Sequence, residues 1–237
     1  MHSCDEWPTD RLALPRTHDD NLVEYETPIG TLWFTENYRR YAGLFALEQM
    51  RGVYERGAVR INLGDTVIDL GGHIGSFTRY AFTHGAQTVI VFEPEPTHIR
   101  FIERCFAHEI AEGRLHVIRA AAWNEKTVLP FERAGVESKV HEGGELRVLS
   151  VTVDEVTKSL QLKQVHFIKA DIEGAERVAL GGAKETIAKF APRMVFCTYH
   201  LADDPVVIPA LVQRIRRYDV SFNMGRSQAF FRPIRVH

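Results

Sequence analysis

The chain lacks most of the features that would set it apart from an ordinary globular protein. It has three cysteines in 237 residues, Cys4, Cys105 and Cys197, far apart and without a CxxC pair. Neither a disulfide framework nor a zinc knuckle is indicated, and a reducing compartment is the simplest reading. No run approaches the roughly 18 apolar residues of a membrane span. Met1 to Arg16 is polar, carries Asp5, Glu6, Asp10 and Arg11, and has no apolar signal-peptide core. A cytoplasmic chain with no membrane partner is expected. There is no excess of positive charge either: 29 Lys and Arg stand against 31 Asp and Glu, a net charge of −2. A nucleic-acid partner, which would want a basic face, is not expected. Internal repeats and low-complexity segments are absent.

What is present is a β/α alternation. The first twenty residues read as irregular. Leu22–Phe34 alternates like a hairpin, with Pro28-Ile29-Gly30 as its turn. Tyr41–Tyr54 carries apolar residues at helical spacing. From there, TVIDL (Thr66–Leu70), TVIVF (Thr88–Phe92), Leu115–Arg119, VHFIK (Val165–Lys169) and MVFCT (Met194–Thr198) read as buried strands. Helices are expected at Ile74–Thr83, Pro96–His108, Ala175–Lys189 and Ile208–Arg217, and two last strands near Val220–Asn223 and Gln228–Phe231. Ala121–Val151 is expected to hold a hairpin and a mobile loop. Strands apolar on both faces that alternate with helices make a parallel sheet covered on both sides. Ligands of such sheets bind beyond the carboxyl ends of the strands. Residues 1–60 are taken as an N-terminal extension, and 61–237 as the ligand-binding domain.

The first strand-to-helix turn reads Asp69-Leu70-Gly71-Gly72-His73-Ile74-Gly75. GxGxxG cannot be fitted to it. Glycines here let the backbone approach a ligand closely. A pyrophosphate over this turn would be repelled by Asp69. S-adenosylmethionine (SAM) has no phosphate and carries an ammonium and a sulfonium, so a carboxylate suits it and disfavours NAD. The helix start can receive its carboxylate. His73 reads as a partly exposed loop histidine. Glu93, followed by Pro94, ends the next strand, where an acid can accept hydrogen bonds from both ribose hydroxyls of an adenosine. Glu95 reads as a surface residue. Ala121 and Ala122 leave room for a flat ring. The fourth strand is followed by Asp171, Glu173 and Glu176, three acids that ask for a cationic neighbour.

Together, Asp69–Gly75, Val91-Phe92-Glu93-Pro94, Val153-Asp154 and Phe167–Glu176 resemble the FkbM-type family of SAM-dependent methyltransferases; D-x-E-G-x-E after a buried strand is the most specific element. The resemblance covers roughly Gly64 to His200. It implies a Rossmann-like class I methyltransferase sandwich, whose mostly parallel seven-stranded sheet has an antiparallel C-terminal strand. It implies SAM as cofactor, held by Asp69, Gly71, Gly72, His73, Gly75, Glu93, Pro94, Ala121, Ala122 and Asp171, and O-methylation of a hydroxyl on a small molecule or glycan. N-methylation of a peptide or amine stays open, and more distantly an NAD-dependent oxidoreductase or a non-catalytic SAM-binding protein. The family often has a small residue where His73 stands, and a glutamate near Cys197.

A hydroxyl acceptor must lose its proton, so a base is needed. His200, after the fifth strand, is the leading candidate, since histidine titrates near neutrality. Asp171 or Glu173 is the second. A divalent ion on Asp171, Glu173 and His200 would be a third route. The acceptor pocket is expected from Ala134–Glu145, the N-terminal helix and Ser221–Arg232. Arg133, Lys139, His141, Asn223 and Arg226 would suit a polar or anionic acceptor. The oligomeric state is not legible, and a homodimer is compatible with the sequence.

Overall fold

Thr31 to Phe34 and Val23 to Thr27 alternate inward and outward side chains, and the chain turns back at Gly30, whose φ of +110° needs glycine. In the computed structural model, which describes residues 16–17 and 21–234, these stretches are β2 (Val23–Thr27) and β3 (Gly30–Phe34), the expected hairpin. A short β1 (Arg16–Thr17) pairs with β2. The rest of the expectation for the first twenty residues lies outside the described residues, as does Cys4. The helix α1 (Arg39–Met50) follows.

The alternation then builds the main layer: β4 (Thr66–Leu70), α2 (Ser76–Thr83), β5 (Thr88–Phe92), α3 (Pro96–Cys105), α4 (Ala107–Ala111) and β6 (Leu115–Ile118). After it come β7 (Ala121–Ala122), β8 (Val128–Glu132), β9 (Lys139–Val140) and β10 (Leu146–Val151). These four make a separate sheet in the order β7-β10-β8-β9, where a hairpin with a mobile loop was expected. The chain continues through α5 (Val153–Ser159), β11 (Phe167–Ala170), α6 (Glu176–Gly181), α7 (Lys184–Phe190), β12 (Arg193–Cys197), α8 (Asp204–Ile215), β13 (Tyr218–Phe222) and β14 (Gln228–Pro233).

The main sheet has seven strands in the order β13-β14-β12-β11-β4-β5-β6. β11, β12, β4, β5 and β6 are parallel neighbours, and β14 runs antiparallel between β12 and β13. The strand order reverses beside β4, which opens a crevice at the carboxyl ends of β4 and β11. Successive residues of each central strand feed opposite faces. Val67, Val89 and Phe167 pack with α2, α3 and the hairpin; Ile68, Ile90 and Ile168 pack with α5 to α8.

Two expected helices are each divided. The stretch 175–189 breaks at Gly182, where a Cβ would lie 2.0 Å from the Trp123 carbonyl oxygen, so backbone passes backbone there. The stretch 96–108 breaks at Phe106. The helix α5 was not expected, although its start is written in the sequence: Thr152 and Glu155 form a reciprocal capping box. Among the described residues no helix is long and apolar enough to cross a membrane.

Candidate functional site

The turn after β4 is closed by its neighbours. A Cβ on Gly71 would stand 2.1 Å from the Asp171 carbonyl oxygen, and φ there is +88°. A Cβ on Gly72 would stand 2.3 Å from Val91 Cγ2 and 2.9 Å from Ile102 Cδ1. Both glycine N–H groups donate to the Phe92 carbonyl, at 3.0 and 3.1 Å. The turn is thus fixed between β11 and β5, with Gly71, Gly72 and His73 facing a cleft of about 640 Å3, a volume in the usual range of small-molecule sites. Gly75 does not line it; it precedes α2 with φ +83° and packs against Phe106.

Asp69 is placed behind the turn and does not line the cleft, which corrects the reading that it meets a ligand directly. Its carboxylate is fully buried, accepts from Thr78 Oγ1 at 2.8 Å and pairs with Lys169 Nζ at 3.0 Å. Lys169 stands opposite Asp69 in the β11–β4 register and also donates to the Gly71 carbonyl at 2.7 Å. Burial lowers the Lys169 pKa, but the charges of Asp69 and Asp171 outweigh it, and the net direction is up. The Asp69 charge is therefore answered inside the protein.

Glu93, at the end of β5, does reach the cleft. Its Oε2 accepts His73 N–H at 2.7 Å and its Oε1 accepts Glu95 N–H at 2.9 Å. Each carboxylate oxygen keeps a further lone pair for a ligand hydroxyl. Pro94, Ala121 and Ala122 line the same end. Glu95 is not a surface residue: it is buried, caps α3 through His98 N–H at 2.9 Å and pairs with Arg133 at 2.9 Å. His73 is packed between the rings of Phe45 and His98, at 5.0 and 4.5 Å. Burial holds its pKa well below the usual value, and its buried Nε2 has no partner among the described residues. A neutral imidazole nitrogen without a partner in a cleft wall is a place for a ligand's polar atom.

At the other end, Asp171 takes a hydroxyl on each oxygen, from Tyr54 at 2.7 Å and Tyr199 at 3.0 Å. His200 lies behind it, absent from the cleft wall. Its Nδ1 is 3.0 Å from Glu176 and its Nε2 is 3.4 Å from Glu173 and 3.7 Å from Asp171. Burial lowers its pKa, but Glu173, Glu176 and Asp171 more than offset this and raise it to about 10. His200, set behind the cleft wall with its pKa raised, is held by acids rather than presented to an acceptor, unlike the base expected from the sequence. Asp171, Glu176 and His200 offer ligand atoms within 4.8 Å of one another, a spacing that a divalent ion could bridge; the imidazolium supplies the positive charge those acids need. Glu173, at φ +53°, also faces the cleft.

The cleft is also lined by residues of the segments from which an acceptor pocket was expected: α1, the loop from Gly135 to Val140, and Asn223, Ser227 and Gln228. Arg133, His141 and Arg226 are not among the lining residues. Arg133 is held by Glu95, and Arg226 donates to the Pro205 carbonyl and covers Phe222. Sequence reading missed Lys169, Tyr54, Tyr199 and Glu48. For Lys169 a signal existed: a lysine in a strand with no solvent-facing side is rare unless paired.

Residues 69–222 match the model of the methyltransferase FkbM domain. No curated protein matches the chain. Among solved structures, the fold is similar to methyltransferase FkbM from Methylobacillus flagellatus KT, with 16% identity and a TM-score of 0.59 over 84% of this chain and 56% of that one. The chain thus spans little more than half the length of that protein. The C-terminal domain of precorrin-6Y C5,15-methyltransferase from Rhodobacter capsulatus aligns with 14% identity and a TM-score of 0.42, over 80% of this chain and 84% of that one. Ribosomal protein L11 methylase from Lactobacillus delbrueckii subsp. bulgaricus aligns with 12% identity and a TM-score of 0.46, over 83% and 80%.

Proposed function

Since the chain belongs to the methyltransferase FkbM domain family, we propose that it uses SAM to methylate a hydroxyl group of a small molecule or glycan. The observation that carries this is one cleft with a ribose-type acid, Glu93, at one end and a carboxylate, Asp171, at the other, joined by the Gly71–His73 turn. When bound, SAM supplies a methyl group on a positively charged sulfur. Glu93 would hold the ribose hydroxyls, and Ala121, Ala122 and Pro94 would flank the ring. The Gly71–His73 turn would hold the amino-acid end, and the unpartnered His73 Nε2 fits a polar atom there. Asp171, rather than Asp69, would face the cationic groups.

The acceptor side supports an uncharged acceptor. Among the described residues its acids are Glu48, Glu137, Asp171 and Glu173, and its one cation not already matched to an acid is Lys139. An anionic acceptor would enter against that field, so of the polar and anionic acceptors that Arg133, Lys139, His141, Asn223 and Arg226 suggested, the field favours the polar one. Tyr54 and Tyr199 hold Asp171 in place, and a fixed wall serves methyl transfer, where alignment of nucleophile and methyl carbon supplies much of the acceleration.

Thermal unfolding with S-adenosylhomocysteine and with NAD tests the cofactor. Ligand at 100 times its Kd adds about 2.7 kcal/mol of stability. The expected result is a rise in Tm with S-adenosylhomocysteine only, lost in Glu93→Ala. Stabilisation by NAD, or an unchanged Tm with both, refutes the proposal.

A further inference from the structure

We propose that Glu48 is the base that takes the acceptor's proton, an assignment that rests on the methyltransferase reading above. Glu48 lies outside the stretch matched by the family model, on α1. Tyr41, Leu44, Phe45 and Glu48 recur at helical spacing, so one face of α1 forms the wall of the cleft.

The case is one of carboxylates that no protein group holds. Asp69 is buried against Lys169 and Thr78. Both oxygens of Glu93 accept backbone N–H groups, and both oxygens of Asp171 accept tyrosine hydroxyls. Glu173 lies 3.4 Å from His200 Nε2. The remaining cleft acids are Glu48 and Glu137, and neither side-chain carboxylate has a hydrogen-bond or ion-pair partner among the described residues. Glu137 stands exposed on the turn Gly135–Glu137. Glu48 is half-buried and close enough to Asp171 to feel its charge. Three influences act on it: burial and Asp171 raise its pKa, and Arg51, which caps its helix, lowers it; the net direction is up. A carboxylate moved towards neutrality is a better proton acceptor than an ordinary surface glutamate.

The step balances without a further reactant. The acceptor oxygen forms its bond to the methyl carbon as the carbon–sulfur bond breaks, and the electron pair stays on sulfur. The hydroxyl proton passes to Glu48, which returns it to water at the open mouth of the cleft.

The test compares wild type with Glu48→Gln, using tritium-labelled SAM and a panel of simple alcohols, sugar glycosides, phenols and primary amines. The acceptor that wild type methylates fastest is then used for kinetics, and S-adenosylhomocysteine affinity is measured by calorimetry. The expected result is a fall in kcat of about 100-fold or more, with KM and S-adenosylhomocysteine affinity within about 3-fold of wild type. A phenol already ionised at the assay pH should lose least. The assignment is overturned if kcat stays within about 3-fold, or if kcat, KM and S-adenosylhomocysteine affinity all worsen together. Failure of the methyltransferase reading shows in wild type itself, which would neither bind S-adenosylhomocysteine nor label any compound, and the assignment falls with it.

Discussion

Replacing Lys169 by Met tests the conclusion that Asp69 is answered inside the protein. Lys169 and Asp69 are 3.0 Å apart, with side-chain exposures of 4% and 0%. Removing the ammonium leaves a carboxylate with no solvent and no counter-charge, and only the Thr78 hydroxyl to donate to it. Breaking a buried pair from one side costs about 3–5 kcal/mol. Against a total stability of about 5–15 kcal/mol this is a large fraction, and for a domain of this size it lowers Tm by roughly 6–20 °C. The Gly71 carbonyl loses its Lys169 donor as well, while the Leu70 carbonyl keeps only the Asp171 N–H, so the turn loosens and S-adenosylhomocysteine should bind more weakly. Urea and thermal denaturation of Lys169→Met, Asp69→Asn and the double variant read this directly. The double variant should recover most of the loss, because the uncompensated charge is gone and an amide still accepts from Thr78; the coupling energy follows from the cycle. The reasoning fails if Lys169→Met costs less than about 1 kcal/mol. It fails equally if Asp69→Asn abolishes S-adenosylhomocysteine binding with stability intact, for then Asp69 faces the ligand.

The His200 cluster gives a pH dependence. Its pKa is raised from 6.5 to about 10, so the stability it contributes is full below about pH 6.5 and is lost as pH rises through about 10. Urea denaturation from pH 6 to pH 10.5 should show the advantage of wild type over His200→Gln shrinking across that window; an advantage that grows with pH contradicts the cationic assignment. Gly72→Ala forces a methyl to 2.3 Å from Val91 Cγ2, an overpacking worth about 1–3 kcal/mol, measurable as a lower urea midpoint with weaker S-adenosylhomocysteine binding. Gly71→Ala should be worse, because its obstacle is the Asp171 backbone and its φ is positive; equal effects of the two would argue against the geometry of the turn. Arg133→Ala leaves the buried Glu95 carboxylate with one donor fewer, and should lower stability by about 1–3 kcal/mol while speeding proteolysis of the 133–140 loop; unchanged cleavage would detach Arg133 from that loop's order.

Much of the layout was legible because it rests on local pattern. Runs such as TVIDL, TVIVF and MVFCT are apolar on both faces, and only a sheet covered on both sides satisfies that. Glu93 and the Gly71–Gly72 turn were legible for a similar reason, since a glycine turn directly after such a strand has few uses. Helix ends were less legible. The break at Gly182 depends on Trp123, some sixty positions earlier in the chain, and nothing local announces it.

The functional assignments of single acids could not come from the sequence. By itself the sequence determined which residue types stand at each strand end, and hence the sheet, the crevice and the excess of carboxylates around it. Only the tertiary structure decided which of those carboxylates is free. Register across β11 and β4 sets Lys169 against Asp69, Tyr54 and Tyr199 converge on Asp171 from distant segments, and the fold closes three acids around His200. A charge's role depends on what surrounds it within a few ångströms, and in this chain those neighbours are mostly far away in sequence.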